Sequence, residues 1–562
     1  MPLNILSIYI FTLKRLISSV EPEFPGLTMG KKLRLVLLLL LLCQKGNAEL
    51  HTFCPVRCQC FTPVQVLCAE TWLSHLPKNM SRQITEFILM TSSVAHLFPN
   101  TLEDSPQLTK LVFLNNVLTS IHSQAFTHLT NLQELEISGN PLLNHFHLGT
   151  FSKQGNLTKL LLNYNQVNEL LPGMFDPLKN LETLQMKGNV ISDLPEFIFL
   201  KLNNLLVLDL SQNKLTEVKR QTFAGLGKLE TLKMNNNLIS NLTSNTFNNI
   251  SQLAELHLEG NKISELADSI FCMLTNLKVL NLRGNILTSF SDKVFGFQLS
   301  NLKELNLKGN RLTQLYSLSR FTTLTDLTLS SNQLSYLPQT IFKNVTTLEN
   351  IDLSENQLNS LPGTIFRDLF SIKTIHLNKN NLSKVEANLF EDQLLMQKIY
   401  LSDNQLETIP LGLLDPLIMQ HTVRFHGNPW KCDCHLFYLH DWVLKNSLDI
   451  EMLDRVLCHG PRFFRGRTVA SMDRDQLVCQ VSEDEMPDMR NCILQASRNS
   501  TQTSGLSHYS ASEEWEPWAV LGRGQEGPVP VTLSFGPPCG HPSKRKSPLI
   551  THIQYLTTGL TI

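Results

Sequence analysis

With 562 residues, 42% of them hydrophobic and 17% charged, the chain has enough apolar material to bury a long core, and length alone suggests several domains. Forty-eight basic against forty-nine acidic side chains leave a formal charge of -1. That balance excludes a global field directed at nucleic acid or an anionic membrane, so any partner is selected by local pattern.

From Met29 the order is basic, apolar, small: Lys31, Lys32 and Arg34, then Leu35 to Cys43, then Gly46-Asn47-Ala48. This order predicts a cleaved signal peptide over 29–48, with 1–28 an upstream extension or alternative start. The apolar run is too short to span a bilayer, which takes about 20 residues, and no later stretch approaches that length. A secreted, extracellular mature chain without membrane insertion is expected. Asn-x-Ser/Thr sequons at Asn79, Asn156, Asn241, Asn249, Asn344, Asn381 and Asn499 suit a glycosylated surface in that compartment.

Residues 49–83 form a cysteine-rich segment with Cys54, Cys58, Cys60 and Cys68 spaced C-x3-C-x-C-x7-C. Repeats follow over 84–428. Aligning Leu108, Leu111, Phe113 and Asn116 with Leu132, Leu135, Ile137 and Asn140 gives L-x-x-L-x-L-x-x-N at a spacing of 24. Its asparagines run Asn116, Asn140, Asn165, Asn189, Asn213, Asn237, Asn261, Asn285, Asn310, Asn332, Asn356, Asn380, Asn404 and Asn428. A worn unit with Ile84, Phe87 and Leu89 precedes them, carrying Ser92 in place of the asparagine, so about fifteen coils are expected. The spacing drifts to 25 before Asn165 and Asn310 and to 22 before Asn332, where the coil should bulge or tighten.

The period of two in Leu-x-Leu marks a short strand, and stacking such coils makes one curved parallel sheet. The fold class is α/β: a leucine-rich repeat solenoid wound as a right-handed horseshoe. The asparagine amide can both donate and accept toward loop backbone of its own and the adjacent coil, which explains its recurrence. Ten residues after most of these asparagines comes Phe126, Phe175, Phe199, Phe223, Phe247, Phe271, Phe295, Phe342, Phe366 or Phe390, a predicted core spine along the convex side.

Side chains between the leucines point away from the core and line the concave face, roughly 70 Å of sheet at about 4.8 Å per strand. That is room for a protein partner. The column includes Val112, Glu136, Leu161, Gln185, Asp209, Lys233, His257, Asn281, Asn306, Thr328, Asp352, His376, Tyr400 and Arg424. Arg283, Lys303 and Lys308 add a basic patch, and Glu349, Asp352 and Glu355 an acidic one. Alternating patches fix register with a complementary protein more than they add affinity.

A stack of coils has two raw ends and needs caps. Over 429–482 lie Cys432, Cys434, Cys458 and Cys479. Cys432-Asp433-Cys434-His435 reads as a metal site, a reactive thiol or a structural lid. The apolar helical face of Leu436, Leu439 and Val443 favours the lid, and Cys-x-Cys beside a histidine matches tetrahedral zinc poorly. No zinc-protease, serine-hydrolase or phosphate-loop motif is present, so neither an enzyme nor a cofactor is indicated. His145 and His147 form an isolated, solvated pair, and Cys272 reads as a buried thiol.

The two cysteine groups resemble the flanking modules of extracellular leucine-rich repeat proteins. That resemblance, not the spacing, implies the pairs Cys54–Cys60, Cys58–Cys68, Cys432–Cys458 and Cys434–Cys479. The segments "LTKLVFLNN", "LTKLLLNYNQ", "HGNPWKCDCHLFYLHDW" and "LCHGPRFFRGRTVASMDRDQLVC" are similar to the regulatory (large) subunits of carboxypeptidase N, over about Cys54 to Val481. The resemblance implies a secreted, non-catalytic glycoprotein that binds and stabilises a zinc carboxypeptidase catalytic subunit, the zinc belonging to that partner. The alternative is an extracellular or cell-surface recognition and adhesion protein, since the general motifs are shared with platelet glycoprotein V and the Nogo receptor. Beyond the resemblance, 483–562 reads as a disordered or atypical tail holding Cys492 and Cys539.

Overall fold

In the computed structural model, residues 54–78, 80–418 and 421–479 are described. The predicted leader, the tail after 482, the sequons at Asn79 and Asn499, and Cys492 and Cys539 lie outside the described residues.

Leucine, isoleucine and valine at alternate positions hold each coil's strand against the core, and the strands stack in order. One strand per coil runs from Glu86–Met90 to Thr422–Arg424, fifteen in all. Two more, Gln59–Thr62 and Gln65–Cys68, form an antiparallel hairpin that adds to the N-terminal end and completes a seventeen-stranded sheet. Every pairing between coils is parallel and without a register shift. This is a leucine-rich repeat solenoid. Among the described residues the connections opposite the sheet are turns, one 3-10 segment and two pairs of two-residue strands, and the helix Phe437–Lys445 belongs to the C-terminal cap.

The asparagines form a ladder with constant chemistry. From Asn189 to Asn428, each side-chain amide donates to a carbonyl of its own coil and to one of the coil before, while its oxygen accepts a backbone N–H of that preceding coil. Asn261 donates to Leu258 O at 2.9 Å and Met234 O at 3.0 Å and accepts from Ile239 N–H at 3.1 Å. The start of the ladder is different: Ser92, in the worn coil, donates its hydroxyl to Asn116 Oδ1 at 2.7 Å. A second series on the edge of the coils went unread in the sequence. Asn131, Asn156, Asn180, Asn204 and Asn301 each donate to a carbonyl one coil back.

The spacing irregularities do not disturb the sheet. Asn310 and Asn332 still reach Leu282 O and Leu307 O, both at 3.0 Å. The changes in length fall in the turns, where Asp292–Phe295 forms a 3-10 segment and Ser289–Phe290 pairs with Gln314–Leu315. Asp292, almost fully buried, pins this junction by accepting from the Ser317 and Ser319 hydroxyls and Arg320 N–H. The phenylalanine spine is longer than the ten-residue rule gave. Phe151 and Phe321 come eleven residues after their asparagines, and both join, Phe151 against Phe175 at 6.4 Å and Phe321 against Phe295 at 5.5 Å.

Both raw ends are closed. Disulfides join Cys54 to Cys60 and Cys58 to Cys68 at the first coil. Others join Cys432 to Cys458 and Cys434 to Cys479 at the last. Leu436, Leu439 and Val443 are fully buried, and Trp430, also fully buried, donates its indole N–H to Phe425 O at 3.1 Å. The last strand's own edge is partly covered as well, where Glu451 N–H donates to Val423 O at 3.0 Å.

Candidate docking face

Because every strand pairs without slippage, one side chain per coil falls into a single row on the open face of the sheet. Val112, Glu136, Leu161, Gln185, Asp209, Lys233, His257, Asn281, Asn306, Thr328, Asp352, His376, Tyr400 and Arg424 are register neighbours in that order. The sequence-derived column is thus one continuous line of side chains. Glu136, Asp209 and Tyr400 are nevertheless buried by their neighbours, leaving less of each to a partner than its position suggests.

The row divides into local groups. On one strand His257 sits between two carboxylates, 3.5 Å from Glu255 and 3.8 Å from Glu259. Near the C-terminal end the ring of His376 meets Tyr400 edge-on at 4.5 Å, and the Arg424 guanidinium lies over the same Tyr400 ring at 4.1 Å while its Nε reaches Glu451 at 2.5 Å. Tyrosine and arginine held rigidly in this way are the residue types that anchor protein interfaces.

The acidic patch expected from Glu349, Asp352 and Glu355 is largely neutralised, which corrects the sequence reading. Lys373 closes on Glu349 at 2.6 Å and Lys379 on Glu355 at 2.8 Å. Each lysine occupies its glutamate's own position one coil on, so the pairs form only when the coils stack. The Lys379 ammonium, followed by the Ser331 hydroxyl, holds the Glu355 carboxyl below the usual carboxylate range. The basic patch of Arg283, Lys303 and Lys308 has no such partners among the described residues.

Burial pushes the His376 imidazole below its ordinary pKa of 6.5, with Arg424 and Lys398 acting in the same direction against Asp352. A depressed folded-state value means that the unfolded chain takes up the proton first, so stability is full above about 6.5 and declines as the pH falls below it. Thermal unfolding should show that decline in the wild-type chain, and His376→Gln should flatten it. Equal pH profiles for the two proteins would contradict the assignment.

No donor set for a metal stands on this face. Among the described residues Asp433, Cys434, His435 and Cys479 bring donor atoms within 4.8 Å of one another. Both sulfurs, however, are spent in one disulfide and offer no thiolate. Asp433 accepts from His435 N–H at 2.9 Å and pairs with Lys431 at 3.1 Å. The stretch is a lid. The described sequons Asn156, Asn241, Asn249, Asn344 and Asn381 all lie off the sheet strands, so glycans there would leave the open face clear. Asn156 is also a member of the edge series, its amide donating to Thr130 O at 3.0 Å. His145 and His147 pack edge-to-face at 4.7 Å, and Cys272 is unpaired and partly exposed rather than buried. No helix among the described residues is long and apolar enough to cross a membrane.

Comparison with known proteins agrees with this geometry. A leucine rich repeat family model matches residues 82–142, 179–239, 228–285, 251–312, 275–334 and 322–382. Human carboxypeptidase N subunit 2 is 40% identical over 65 residues, 12% of this chain and 12% of that protein. The mouse protein is 39% identical over 56 residues, 10% of each. The chain therefore aligns with about an eighth or less of the length of these relatives. Rat reticulon-4 receptor-like 2 is 29% identical over 118 residues, 21% of this chain and 28% of that one. Among solved structures, a leucine-rich repeat protein of Leptospira interrogans superposes with a TM-score of 0.59 at 25% identity, covering 68% of this chain and 95% of its own. The Drosophila Toll–Spatzle complex gives 0.59 at 22%, covering 75% and 65%, which speaks for the fold alone.

Proposed function

Starting from a leucine-rich repeat protein related over part of its length to carboxypeptidase N subunit 2, we propose that this chain is a secreted, non-catalytic subunit. On this reading it binds and stabilises the catalytic subunit of a zinc carboxypeptidase through the open face of its sheet. The observation that carries the proposal is the unbroken row of in-register side chains from Glu136 to Arg424, too long for a small ligand and free of sequons. Support comes also from the paired caps, whose disulfides fit an oxidising extracellular setting. Glu136, Gln185, Asp209, Lys233, His257, Arg283, Lys303, Lys308, Asp352, His376, Tyr400 and Arg424 are the proposed contacts.

The test is direct binding. Purified chain titrated with the zinc carboxypeptidase catalytic subunit should bind saturably and slow that subunit's heat inactivation, while releasing no C-terminal lysine or arginine from a peptide by itself. Absence of binding, together with recovery from plasma of matrix or membrane proteins alone, would replace this reading with that of a recognition or adhesion protein. Peptidase activity in the isolated chain would overturn both.

A further inference from the structure

Ion pairs are unevenly distributed over the open face. Lys110 with Glu134, Lys373 with Glu349, Lys379 with Glu355, and Arg424 with Glu451 close at 2.9, 2.6, 2.8 and 2.5 Å, each joining neighbouring coils or the last coil to the cap. The strands Val279–Asn281 and Glu304–Asn306 depart from that pattern. Lys278 and Lys303 immediately precede them on one border, and Arg283 and Lys308 follow on the other, with Arg311 just beyond. Among the described residues, none of these five cations has a carboxylate within ion-pair distance. Lys308 exerts only a longer-range pull on Glu355.

The backbone stacks these residues in pairs. Lys303 N–H donates to Lys278 O and Gly284 N–H to Lys308 O, both at 2.8 Å, so each border carries two cations about one strand spacing, roughly 4.8 Å, apart. The three-residue strands Val279–Asn281 and Glu304–Asn306 separate the two borders, with Arg283 and Lys308 in the turns that follow them. Between them stand the Asn281 and Asn306 amides, with Glu304 as the sole carboxylate on the two strands. Gly284 and Gly309, at φ 65° and 66°, leave the backbone bare beside Arg283 and Lys308, so a partner can approach closely there. Acid flanks the patch on both sides: Glu255 and Glu259 are engaged with His257, and Asp326 accepts from Asn350 at 2.8 Å.

Like charges gathered without partners repel one another, whereas a complementary surface would convert that cost into orientation and speed of encounter. We propose that this patch is where a protein partner seats a carboxylate-bearing surface, its acids aligned with the Lys278–Lys303 and Arg283–Lys308 borders and polar groups facing the asparagines between. The inference rests on the reading of the open face as a protein-binding surface and adds the charge of the partner and its point of attachment. The cations stand at both ends of the two strands and not in one line, an arrangement that suits the spread carboxylates of a folded protein surface.

The test uses the full chain and fluorescent poly-L-glutamate of about 20 residues at low salt, with poly-L-lysine as control. Polyglutamate should bind, lose affinity as salt is raised, and bind Arg283→Glu/Lys303→Glu more weakly by on the order of tenfold. Lys379→Gln, which removes a cation already paired with Glu355, should change binding less than twofold or so. Indifference of the wild-type chain to polyglutamate, or equal binding by the double variant, overturns the proposal. The same double variant titrated with the carboxypeptidase catalytic subunit separates the two readings. If the wild-type chain fails to bind that subunit, the partner assignment falls and polyglutamate still decides the patch; if wild type and variant bind it equally, the patch falls and the partner stands.

Discussion

Asn261→Ala is expected to lower the stability of the repeat array by about 1–3 kcal/mol, because it leaves the buried Ile239 N–H without an acceptor. Ile239 N–H loses its acceptor at a site only 6% exposed, while Leu258 O and Met234 O each lose one of two amide donors and keep Asn285 and Asn237 respectively. Alanine brings no acceptor that can take the place of the lost amide oxygen. In a stack where each coil touches only its neighbours, the loss is concentrated at one junction, so the array should open there before it melts elsewhere. Denaturant unfolding followed by amide exchange would show the loss and place the fastest exchange around Ile239. Asn276→Ala provides the control, since its amide reaches only the exposed Gln252 side chain. A loss for Asn261→Ala no larger than for the control would mean that the ladder is not what holds adjacent coils together.

The second large effect lies at the C-terminal lid. Cys432→Ser/Cys458→Ser opens a loop with a sequence separation of 26, and the loop-entropy account puts the cost at about 3–4 kcal/mol. The consequence is local. Trp430, Trp442 and Phe425 pack edge-to-face over the last coil, and Leu436, Leu439 and Val443 are buried there with them. Releasing that cover exposes the apolar end of the stack. Limited proteolysis should therefore cut the double variant between 430 and 479 while the central coils survive, and its unfolding should gain an early phase absent from the wild type. An unchanged digestion pattern would show that packing alone secures the cap.

Much of this architecture was legible because the repeat imposes one rule many times. A leucine at alternate strand positions and an amide three residues after the last of them determine strand, turn and register together, so the row from Glu136 to Arg424 could be written down from spacing alone. What escaped were charge pairs between successive members of one column, one coil apart. Lys373 with Glu349 and Lys379 with Glu355 are ordinary surface residues in their own repeats and become pairs only when coils stack. Phe151 and Phe321 were missed for the related reason that an extra residue in a turn shifts the ring by one position without shifting its place in the spine. Asp292 gave no signal at all, since a buried carboxylate serving Ser317, Ser319 and Arg320 is made by two irregular coils meeting. The cysteine pairs were accessible through likeness to known flanking modules and not through their spacing.

These misses bear on function in one direction. Neutralisation of Glu349 and Glu355 removes a candidate acidic contact and leaves the unpaired cations around Lys303 as the dominant charge on the middle of the face. The aromatic group of His376, Tyr400 and Arg424 supplies a rigid second point toward the cap. A partner touching both would span the coils between them, a contact of the size that stable protein complexes use.

Site-specific photo-crosslinking is the most direct measurement of whether the open face holds the partner. A photoreactive residue placed at Lys233, Asn281 or Arg424 on that face, or at Met273 or Phe297 on the exposed turns, would be irradiated with the carboxypeptidase catalytic subunit present. Covalent capture from the three sheet positions and none from the two turn positions is the predicted result; capture from the turns alone would contradict it.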